Sequence, residues 1–331
     1  MKKFFIIMLS IALLSFSSCS SEKITEINGV KLRGEITIDK VEFLNIPENN
    51  FVLPGELIEI KAKITYIDSE GTTASKTVDT IETKVITGED LISILDGSIR
   101  ISEEALSGQN IAIDAGLTEE DFQTSLNLTV RKNPADFITA DGVITDFNDI
   151  DSLVNKERAL PRDYVPIDLV KLTVPTVLAN PEINQLRKAA SDALEYLFQA
   201  AEEEDFSLSA RSGYRSYATQ NSLYSSNVER RGLEHAQKFS AQPGHSEHQT
   251  GLAIDITSNS VNNQLTEYFG ETPEGIWVSE NAHLFGFIIR YPYGKDSITG
   301  YSYEPWHLRY VGKDLAGNIF ESGLTMEEWF E

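Results

Sequence analysis

The chain has 331 residues, with 28 Lys and Arg against 51 Asp and Glu, which gives a formal net charge of −23. Hydrophobic residues make up 41% and charged residues 24%, as in ordinary globular proteins. This length is sufficient for two domains. The acidic balance argues against nucleic acid and against an anionic membrane surface as partners, because both repel a protein of this charge.

The N-terminus has the order of an export signal. Two lysines precede a mostly apolar stretch at residues 4–16, which is too short to span a bilayer comfortably as a helix. Two serines and Cys19, the single cysteine of the chain, follow. This order resembles the lipobox of bacterial lipoproteins, although Phe16 stands where Leu is usual. The resemblance implies a signal peptide over residues 1–18, a lipid on Cys19 and an exported protein anchored to a bacterial membrane, facing the periplasm or the cell exterior. The alternative is an ordinary secretory signal with an incidental cysteine.

Residues 19–29 are short and polar, and we expect a tether from the lipid to the fold. From residue 30 to residue 132 the sequence alternates between apolar and polar residues and is rich in Val, Ile and Thr, with turn residues between the runs. Several short strands at this spacing predict an all-β, immunoglobulin-like sandwich that serves as a spacer or binding module. The Asn133–Pro134 pair marks the predicted boundary with a second domain over residues 133–331.

The second domain mixes helical and strand patterns. Asn180 and Pro181 predict the start of a helix, whose buried stripe runs from Ile183 to Ala200. A short helix near residues 279–285 is expected to stop at Gly286. The other predicted elements are strands at 206–214, 251–256, 285–291 and 305–311 and a polar helix at 218–231.

All five histidines lie in the C-terminal half of the chain, at positions 235, 245, 248, 283 and 307. A zinc hydrolase needs three protein ligands, an open position for water and a carboxylate that does not bind the ion. Two segments offer these groups, "SEHQTGLAID" with His248 and Asp255, and "EPWH" with Glu304 and His307. In the first, Gly251 permits a turn and Asp255 lies on the strand face opposite the apolar residues, so an imidazole and a carboxylate can point to one place.

Three segments occur in a fixed order: "SGYRSYATQ" at 212–220, "SEHQTGLAID" at 246–255 and "EPWH" at 304–307. Together they resemble the signature segments of the VanY type of D-alanyl-D-alanine carboxypeptidase, a family that shares its fold with the LAS group of peptidoglycan zinc peptidases. The likeness spans roughly residues 155–312. It implies an α+β catalytic domain with a small antiparallel sheet of the LAS and hedgehog kind.

The resemblance also implies the roles of individual residues. Zinc would be bound by His248, Asp255 and His307. Glu304 would act as general base and then as general acid, and Arg215 would face the reacting carbonyl or the terminal carboxylate of the substrate. The residues expected to line the substrate site are Gln220, Ser246, Tyr214 and Trp306. The implied partners are peptidoglycan stem peptides, from which the enzyme would remove the terminal D-alanine.

Two alternatives remain open. One is an L,D-carboxypeptidase that trims tetrapeptides instead of pentapeptides with the same zinc machinery. The other is a lipid-anchored binding protein without catalytic activity, against which the intact Glu304 argues. A serine carboxypeptidase is rejected, because the Ser-x-x-Lys match found falls in the tether, at residues 20–23, and no Lys-Thr-Gly occurs. His245 is interpreted as a loop residue near the mouth of the site, His283 as structural and His235 as a surface residue.

Overall fold

In the computed structural model, residues 24–330 are described except for 45, 47–49, 60, 79–81, 96, 97 and 118–121. The chain divides into two compact units. Unit 1 comprises the described residues within Met1–Ile46 and Glu59–Ile81, and unit 2 comprises those within Pro47–Ile58 and Glu82–Glu331. The predicted signal peptide and Cys19 lie outside the described residues.

The strands, in chain order, are β1 (Ile24–Ile27), β2 (Val30–Arg33), β3 (Ile36–Leu44), β4 (Phe51–Val52), β5 (Leu57–Glu59), β6 (Lys61–Asp68), β7 (Thr73–Val78), β8 (Glu82–Thr87), β9 (Ile92–Leu95), β10 (Ser98–Ile101), β11 (Asn110–Leu117), β12 (Phe122–Val130), β13 (Leu169–Lys171), β14 (Gln185–Arg187), β15 (Leu208–Ser212), β16 (Ala253–Ser258), β17 (Phe287–Tyr291) and β18 (Glu304–Tyr310). The helices are α1 (Lys188–Glu203), α2 (Tyr217–Arg231), α3 (Leu233–Phe239), α4 (Pro273–Asn281), α5 (Asp296–Thr299), α6 (Lys313–Ser322) and α7 (Met326–Phe330). Among the helices of the described residues, none combines the length and the apolar character needed to cross a bilayer.

Unit 1 is built from antiparallel strands. β1 and β2 form a hairpin whose turn holds Asn28 and Gly29 at positive φ, as a two-residue Asn-Gly turn requires. β3, β6 and β7 form a three-stranded sheet in the order β3-β6-β7. Alternate residues of β6 are buried, among them Ile64 and Tyr66, which is the predicted period of two.

The strands within residues 30–132 are divided between the two units. β5, β9 and β10 form a three-stranded sheet, and β4, β8, β11 and β12 form a four-stranded one. The all-β character of the region is confirmed, whereas the immunoglobulin-like arrangement stays a prediction. The predicted domain boundary after residue 132 also stays a prediction, and it does not coincide with the division into units, because residues 82–331 all belong to unit 2. Within unit 2, the buried Lys132 pairs with Asp146 and Asp151 on the other side of the predicted boundary, at 2.7 and 3.4 Å.

A four-stranded antiparallel sheet in the order β15-β16-β18-β17 organises the C-terminal half of unit 2. One face packs on α1 and α4 in a core that includes Leu197, Ile254 and Leu308. The opposite face carries Asp255 and His307, which are paired directly across β16 and β18. The predicted α+β fold with a small antiparallel sheet is therefore confirmed, and the sheet presents two polar side chains at one point.

The predicted helix start at Asn180 is wrong, because α1 begins at Lys188. The Asn180 side chain accepts a hydrogen bond from the backbone N–H of Glu182 at 3.0 Å, and the three residues before α1 form β14, which pairs with β13. An asparagine side chain caps a turn as readily as a helix, so the Asn-Pro signal here marks a turn. The predicted buried stripe, including Ala190 and Leu197, does continue along α1.

The short helix predicted near residues 279–285 begins earlier than expected, since α4 starts at Pro273. Thr272 caps it by accepting a hydrogen bond from the backbone N–H of Gly275. A 3₁₀ turn at Ala282–Phe285 continues the helix and stops at Gly286, whose φ of 86° is left-handed, so the predicted stop is confirmed. The strands β15 to β18 and the helix α2 lie where the sequence predicts them.

Candidate active site

Three chain segments bring the predicted metal ligands together. Asp255 on β16 lies opposite His307 on β18, and His248 lies in the 3₁₀ turn Glu247–Thr250 that leads into β16. The turn ends at Gly251, whose φ of 67° strains any residue with a side chain and where a Cβ would lie 2.9 Å from Leu169 Cδ2. All three ligand side chains are buried, so a cation at this point would be shielded from most solvent.

The candidate ligand atoms of His248, Asp255 and His307 all lie within 4.8 Å of one another. His248 Nε2 is 3.4 Å from Asp255 Oδ2, and His307 Nδ1 is 3.0 Å from Asp255 Oδ1. The other ring nitrogen of His248, Nδ1, contacts the Gly213 carbonyl oxygen at 2.7 Å. That contact requires the proton on Nδ1, which leaves the Nε2 lone pair directed at the cluster and available to a metal ion.

Glu247 is not among the predicted site residues, yet it contacts the predicted ligand His307 directly. Its Oε2 is 3.3 Å from His307 Nε2, so it fixes the ring with Nδ1 towards Asp255. Its Oε1 accepts hydrogen bonds from Arg290 at 2.7 Å and Arg309 at 2.8 Å. Burial alone would raise the pKa of Glu247, but these two guanidinium groups outweigh it and hold the pKa well below its usual range. Glu247 is therefore an ionised carboxylate that orients the predicted ligand His307.

The two histidines have opposite pKa shifts. Burial, assisted by the Arg215 guanidinium, lowers the pKa of His248 to about 4, so its ring is neutral at physiological pH. Burial would also lower the pKa of His307, but the hydrogen bonds to Asp255 and Glu247 outweigh it and raise the pKa to about 9. In the absence of a cation, His307 would therefore hold a proton where a metal ion can bind. A metal ion bound at His307 would displace this proton.

Glu304 begins β18, three residues before His307, and lies outside the set of three ligands. Its Oε2 is 3.9 Å from His307 Nδ1, and its side chain is 18% exposed. Burial is the largest influence on its pKa and raises it to about 7, with a further contribution from the negative charge of Asp255. A carboxyl group with this pKa, next to the ligand cluster and reachable from solvent, is suited to exchange protons with a reacting water.

Arg215 connects the ligand cluster to the rest of the cleft. Its Nη2 is 3.7 Å from Asp255 Oδ2, and its Nη1 donates to Gln220 Oε1 at 3.0 Å. Gln220 in turn donates to the Ala241 carbonyl oxygen at 2.7 Å. The three predicted residues Arg215, Gln220 and Ser246 all line one cleft of about 450 Å³ together with the ligands and Glu304. The buried Nε of Arg215 has no hydrogen-bond partner among the described residues, which leaves a donor for a bound substrate.

Comparisons with known proteins agree with this geometry. Residues 183–313 match the family model of VanY, D-alanyl-D-alanine carboxypeptidase. A D-alanyl-D-alanine carboxypeptidase of Enterococcus faecalis (strain ATCC 700802 / V583) is 36% identical over 186 residues, which cover 54% of this chain and 64% of that protein. The solved structure of the LdcB LD-carboxypeptidase is 47% identical, with a TM-score of 0.56 and coverage of 59% of this chain and 92% of that one. The chain belongs to the VanY family.

A further relative is the putative carboxypeptidase YodJ of Bacillus subtilis (strain 168). It is 50% identical over 184 residues, which cover 54% of this chain and 66% of YodJ. The chain therefore spans less than two thirds of the length of these two curated relatives. Every predicted site residue between Tyr214 and His307 lies within the stretch matched by the VanY model.

The two predicted aromatic residues have different positions in this VanY member. Trp306 lines the cleft beside Glu304 and His307. Tyr214 is 5% exposed and lines a separate pocket with Tyr164 and other residues, so the structure does not bring it to the cleft. Its neighbour Arg215 does reach the cleft.

The remaining histidines lie outside the ligand cluster. His245 Nδ1 is 2.9 Å from the Asn155 carbonyl oxygen, and the ring lines a small pocket that shares Ser240 and Tyr301 with the cleft. This position agrees with a loop residue near the mouth of the site. His283 stacks on Phe320 with ring centroids 3.7 Å apart, which is a structural contact.

Proposed function

We propose that this chain is a zinc-dependent carboxypeptidase that removes the terminal D-alanine from peptidoglycan stem peptides. The observation that carries the proposal is the arrangement of two imidazoles, an aspartate and a separate glutamate in one cleft. His248, Asp255 and His307 have ligand atoms within 4.8 Å of one another, and Glu304 is 3.9 Å from His307. Three ligands and a carboxylate outside them are what hydrolysis at a metal centre requires.

The donor set fits zinc. Two imidazole nitrogens and one carboxylate oxygen, His248 Nε2, His307 Nδ1 and Asp255, are a ligand combination that zinc accepts in catalytic sites. The Gly213 carbonyl and the Glu247 carboxylate orient the two rings, as the outer partners of zinc-binding histidines do. When bound there, zinc would lower the pKa of a water molecule to about 7 and polarise the substrate carbonyl.

The other residues of the cleft would each have a separate role in the reaction. Glu304 would accept a proton from the water that attacks the peptide carbonyl, and would then deliver it to the departing amine of D-alanine. One peptide bond is broken, one water is consumed and Glu304 returns to its starting state. The Arg215 guanidinium supports either the developing oxyanion or the terminal carboxylate of the substrate. Gln220 and Ser246 would contribute hydrogen bonds to that carboxylate.

Two substrates are compatible with this chemistry. Removal of D-alanine from a pentapeptide, a D,D-cleavage, follows the description of the VanY model and of the Enterococcus faecalis relative. The second candidate is L,D-cleavage of a tetrapeptide. It is favoured by the likeness to LdcB, an LD-carboxypeptidase that is 47% identical and of which 92% is covered.

The test is release of D-alanine by the zinc-loaded protein from a pentapeptide and from a tetrapeptide, measured by mass spectrometry. We expect release from one of them. Replacing Glu304→Gln should lower turnover at least about 100-fold, because it removes the proton acceptor. Zinc content, measured by elemental analysis, should not change, since Glu304 is not in the ligand set.

The matched control is Glu280→Gln, at an exposed position near the end of α4 and outside the cleft. This variant should retain full turnover. Release from neither peptide by the zinc-loaded parent protein would contradict the proposed activity and favour a binding protein without catalysis. Full turnover by Glu304→Gln would remove Glu304 from the mechanism.

We further propose that the protein is exported and anchored to a bacterial membrane through a lipid on Cys19, with residues 19–29 as the tether. The support is the order of charged, apolar and small residues before the single cysteine. Membrane contact would be through the lipid alone, because the net charge of −23 disfavours an anionic surface. Mass analysis of the mature N-terminus tests this proposal, and an unmodified Cys19 would contradict it.

A further inference from the structure

A bulge in the active-site sheet directs a second arginine into the cleft. β15 pairs with β16 so that Ala210 opposes Ile256 and Ser212 opposes Asp255, which leaves Arg211 as an extra residue between the two pairs. Ala210 is buried in the core. Arg211 and Ser212, although successive in the chain, both line the cleft. Bulges of this kind re-aim side chains beside active sites, and here the bulge places a cation one strand away from Asp255.

The Arg211 side chain is held in place without being neutralised. Its Nη1 donates to the Asn263 carbonyl oxygen at 2.7 Å, and Asn262 and Asn263 both have positive φ, so a tight turn presents that oxygen. No carboxylate within the described ranges lies within 4.0 Å of the Arg211 guanidinium, although acidic residues outnumber basic ones almost two to one in the whole chain. Arg215, by contrast, lies 3.7 Å from Asp255.

Arg211 has N–H donors that remain available to bind an anion. A guanidinium carries five N–H donors in a planar fork that matches a carboxylate, and the Asn263 carbonyl uses one of them. Because the cleft excludes part of the solvent, a charge-assisted pair formed there is stronger than one on the open surface. Arg211 is therefore positioned for a negatively charged group on a molecule bound in the cleft.

The proposed reaction decides which part of the substrate carries that group. The departing residue is a single D-alanine, whose one anionic group is its terminal carboxylate. Gln220 and Ser246 are the proposed donors for that carboxylate, and Arg215, 3.0 Å from Gln220, lies beside them in the cleft. The methyl side chain of D-alanine carries no charge with which a second cation could pair. A second anion in the cleft must then belong to the acyl part of the substrate, on the N-terminal side of the scissile bond.

We infer that Arg211 is a specificity-determining residue that binds a free carboxylate on the acyl part of the peptide substrate. This inference rests on the proposed carboxypeptidase function and adds a substrate class to it: peptides that carry an acidic group before the bond that is cut. The same peptides with that group amidated would be poorer substrates, because the Arg211 guanidinium would have no anion to pair with.

The test compares two peptides that both end in a free D-alanine. The first carries free carboxylates on its acyl part, and the second is the same peptide with those carboxylates converted to amides. For the parent protein we expect kcat/KM to be at least about tenfold higher with the acidic peptide, the value of one hydrogen-bonded charge pair. In Arg211→Gln the acidic peptide should fall to the level of the amidated one, mainly through KM. The kcat/KM for the amidated peptide should fall much less than that for the acidic peptide.

Two further variants complete the experiment. Arg211→Lys keeps the charge but loses the planar fork, so it should retain part of the preference. Arg230→Gln, at an exposed position in the last turn of α2 and outside the cleft, should retain all of it.

The possible failures separate the inference from the function on which it rests. Equal turnover of the two peptides by the parent protein would overturn the role of Arg211 while leaving the carboxypeptidase function intact. An equal loss on both peptides in Arg211→Gln would also overturn it, and would assign Arg211 to the terminal carboxylate or to the fold. No release of D-alanine from either peptide by the zinc-loaded parent protein would instead contradict the proposed function itself.

Discussion

At the scale of single residues, Glu247 connects the stability of the fold to the orientation of the proposed metal ligand His307. It contacts Arg290, Arg309 and His307 with its two carboxylate oxygens, and all four side chains are buried. Glu247→Gln would leave two buried guanidinium groups short of a negative charge. We expect the free energy of unfolding to fall by about 3 to 5 kcal/mol, measured by urea unfolding of the metal-free protein.

The same substitution should weaken zinc binding about 10- to 100-fold in the folded protein, measured by competition with a chelator, because His307 would lose the partner that fixes its ring. Glu328→Gln is the control, since it alters a more exposed pair with Lys295 and should cost no more than about 1 kcal/mol. Unchanged zinc affinity in Glu247→Gln would contradict the orienting role of Glu247.

At the scale of elements, two helical glycines have opposite surroundings. A Cβ on Gly275 in α4 would lie 1.8 Å from the Phe269 carbonyl oxygen, whereas a Cβ on Gly317 in α6 would meet nothing within 4 Å. Gly275→Ala should therefore destabilise the protein by about 1 to 3 kcal/mol through overpacking. Gly317→Ala should stabilise it by about 0.5 to 1 kcal/mol, because alanine loses less backbone entropy in a helix.

Thermal or urea unfolding of the two variants measures both effects, and each variant serves as the control for the other. If both substitutions shifted stability in the same direction, the close contact between α4 and the Phe269 carbonyl would not be the deciding factor.

The sequence predicts elements best where a local pattern and the tertiary structure agree. The strand β16 is an example, because the alternation around Ile254 and Asp255 decides both the buried face and the face that carries the ligand. The predicted start of α1 is wrong, because an Asn-Pro pair such as Asn180–Pro181 is typical of a turn as well as of a helix start. Pairing of β14 with β13 then occupies the residues that would have formed the first helical turn.

Contacts between distant parts of the chain are the part of the site that the sequence did not reveal. Glu247 is 43 residues from Arg290 and 62 residues from Arg309, so no local spacing connects them. A signal does exist, because Arg290 and Arg309 interrupt two apolar strands, and a buried charge needs a partner. Which carboxylate supplies that partner is decided by the fold. The bulge that turns Arg211 into the cleft is likewise a matter of register, which period-two alternation does not predict.

At the scale of the whole molecule, the proposed metal ligands lie in one of the two units. His248, Asp255 and His307 all belong to unit 2, as do the three tryptophans, at positions 277, 306 and 329. Thermal unfolding followed by tryptophan fluorescence therefore reports on unit 2 alone. Free zinc at about 100 times its Kd should stabilise unit 2 by about 2.7 kcal/mol and raise this transition, whereas the unfolding of unit 1 should not respond.

His307→Ala should abolish the zinc-dependent shift, because it removes a ligand. His245→Ala, a histidine just outside the cluster, should retain it. Circular dichroism records the strands of both units and provides the comparison. A shift of the whole circular dichroism change together with the fluorescence would show that the units unfold cooperatively, against this expectation.

The last helix has a consequence for anyone who modifies this protein. Arg290 is shared between Glu247 and Glu327 of α7, to which it donates two hydrogen bonds of 2.8 and 2.6 Å. The five residues of α7 line no part of the cleft, yet Glu327 supplies one of the negative charges that balance the buried Arg290. A tag, an antibody or a protease that displaces α7 would remove Glu327 from Arg290. The loss would be transmitted through Arg290 and Glu247 to the ring of His307, although nothing had entered the cleft.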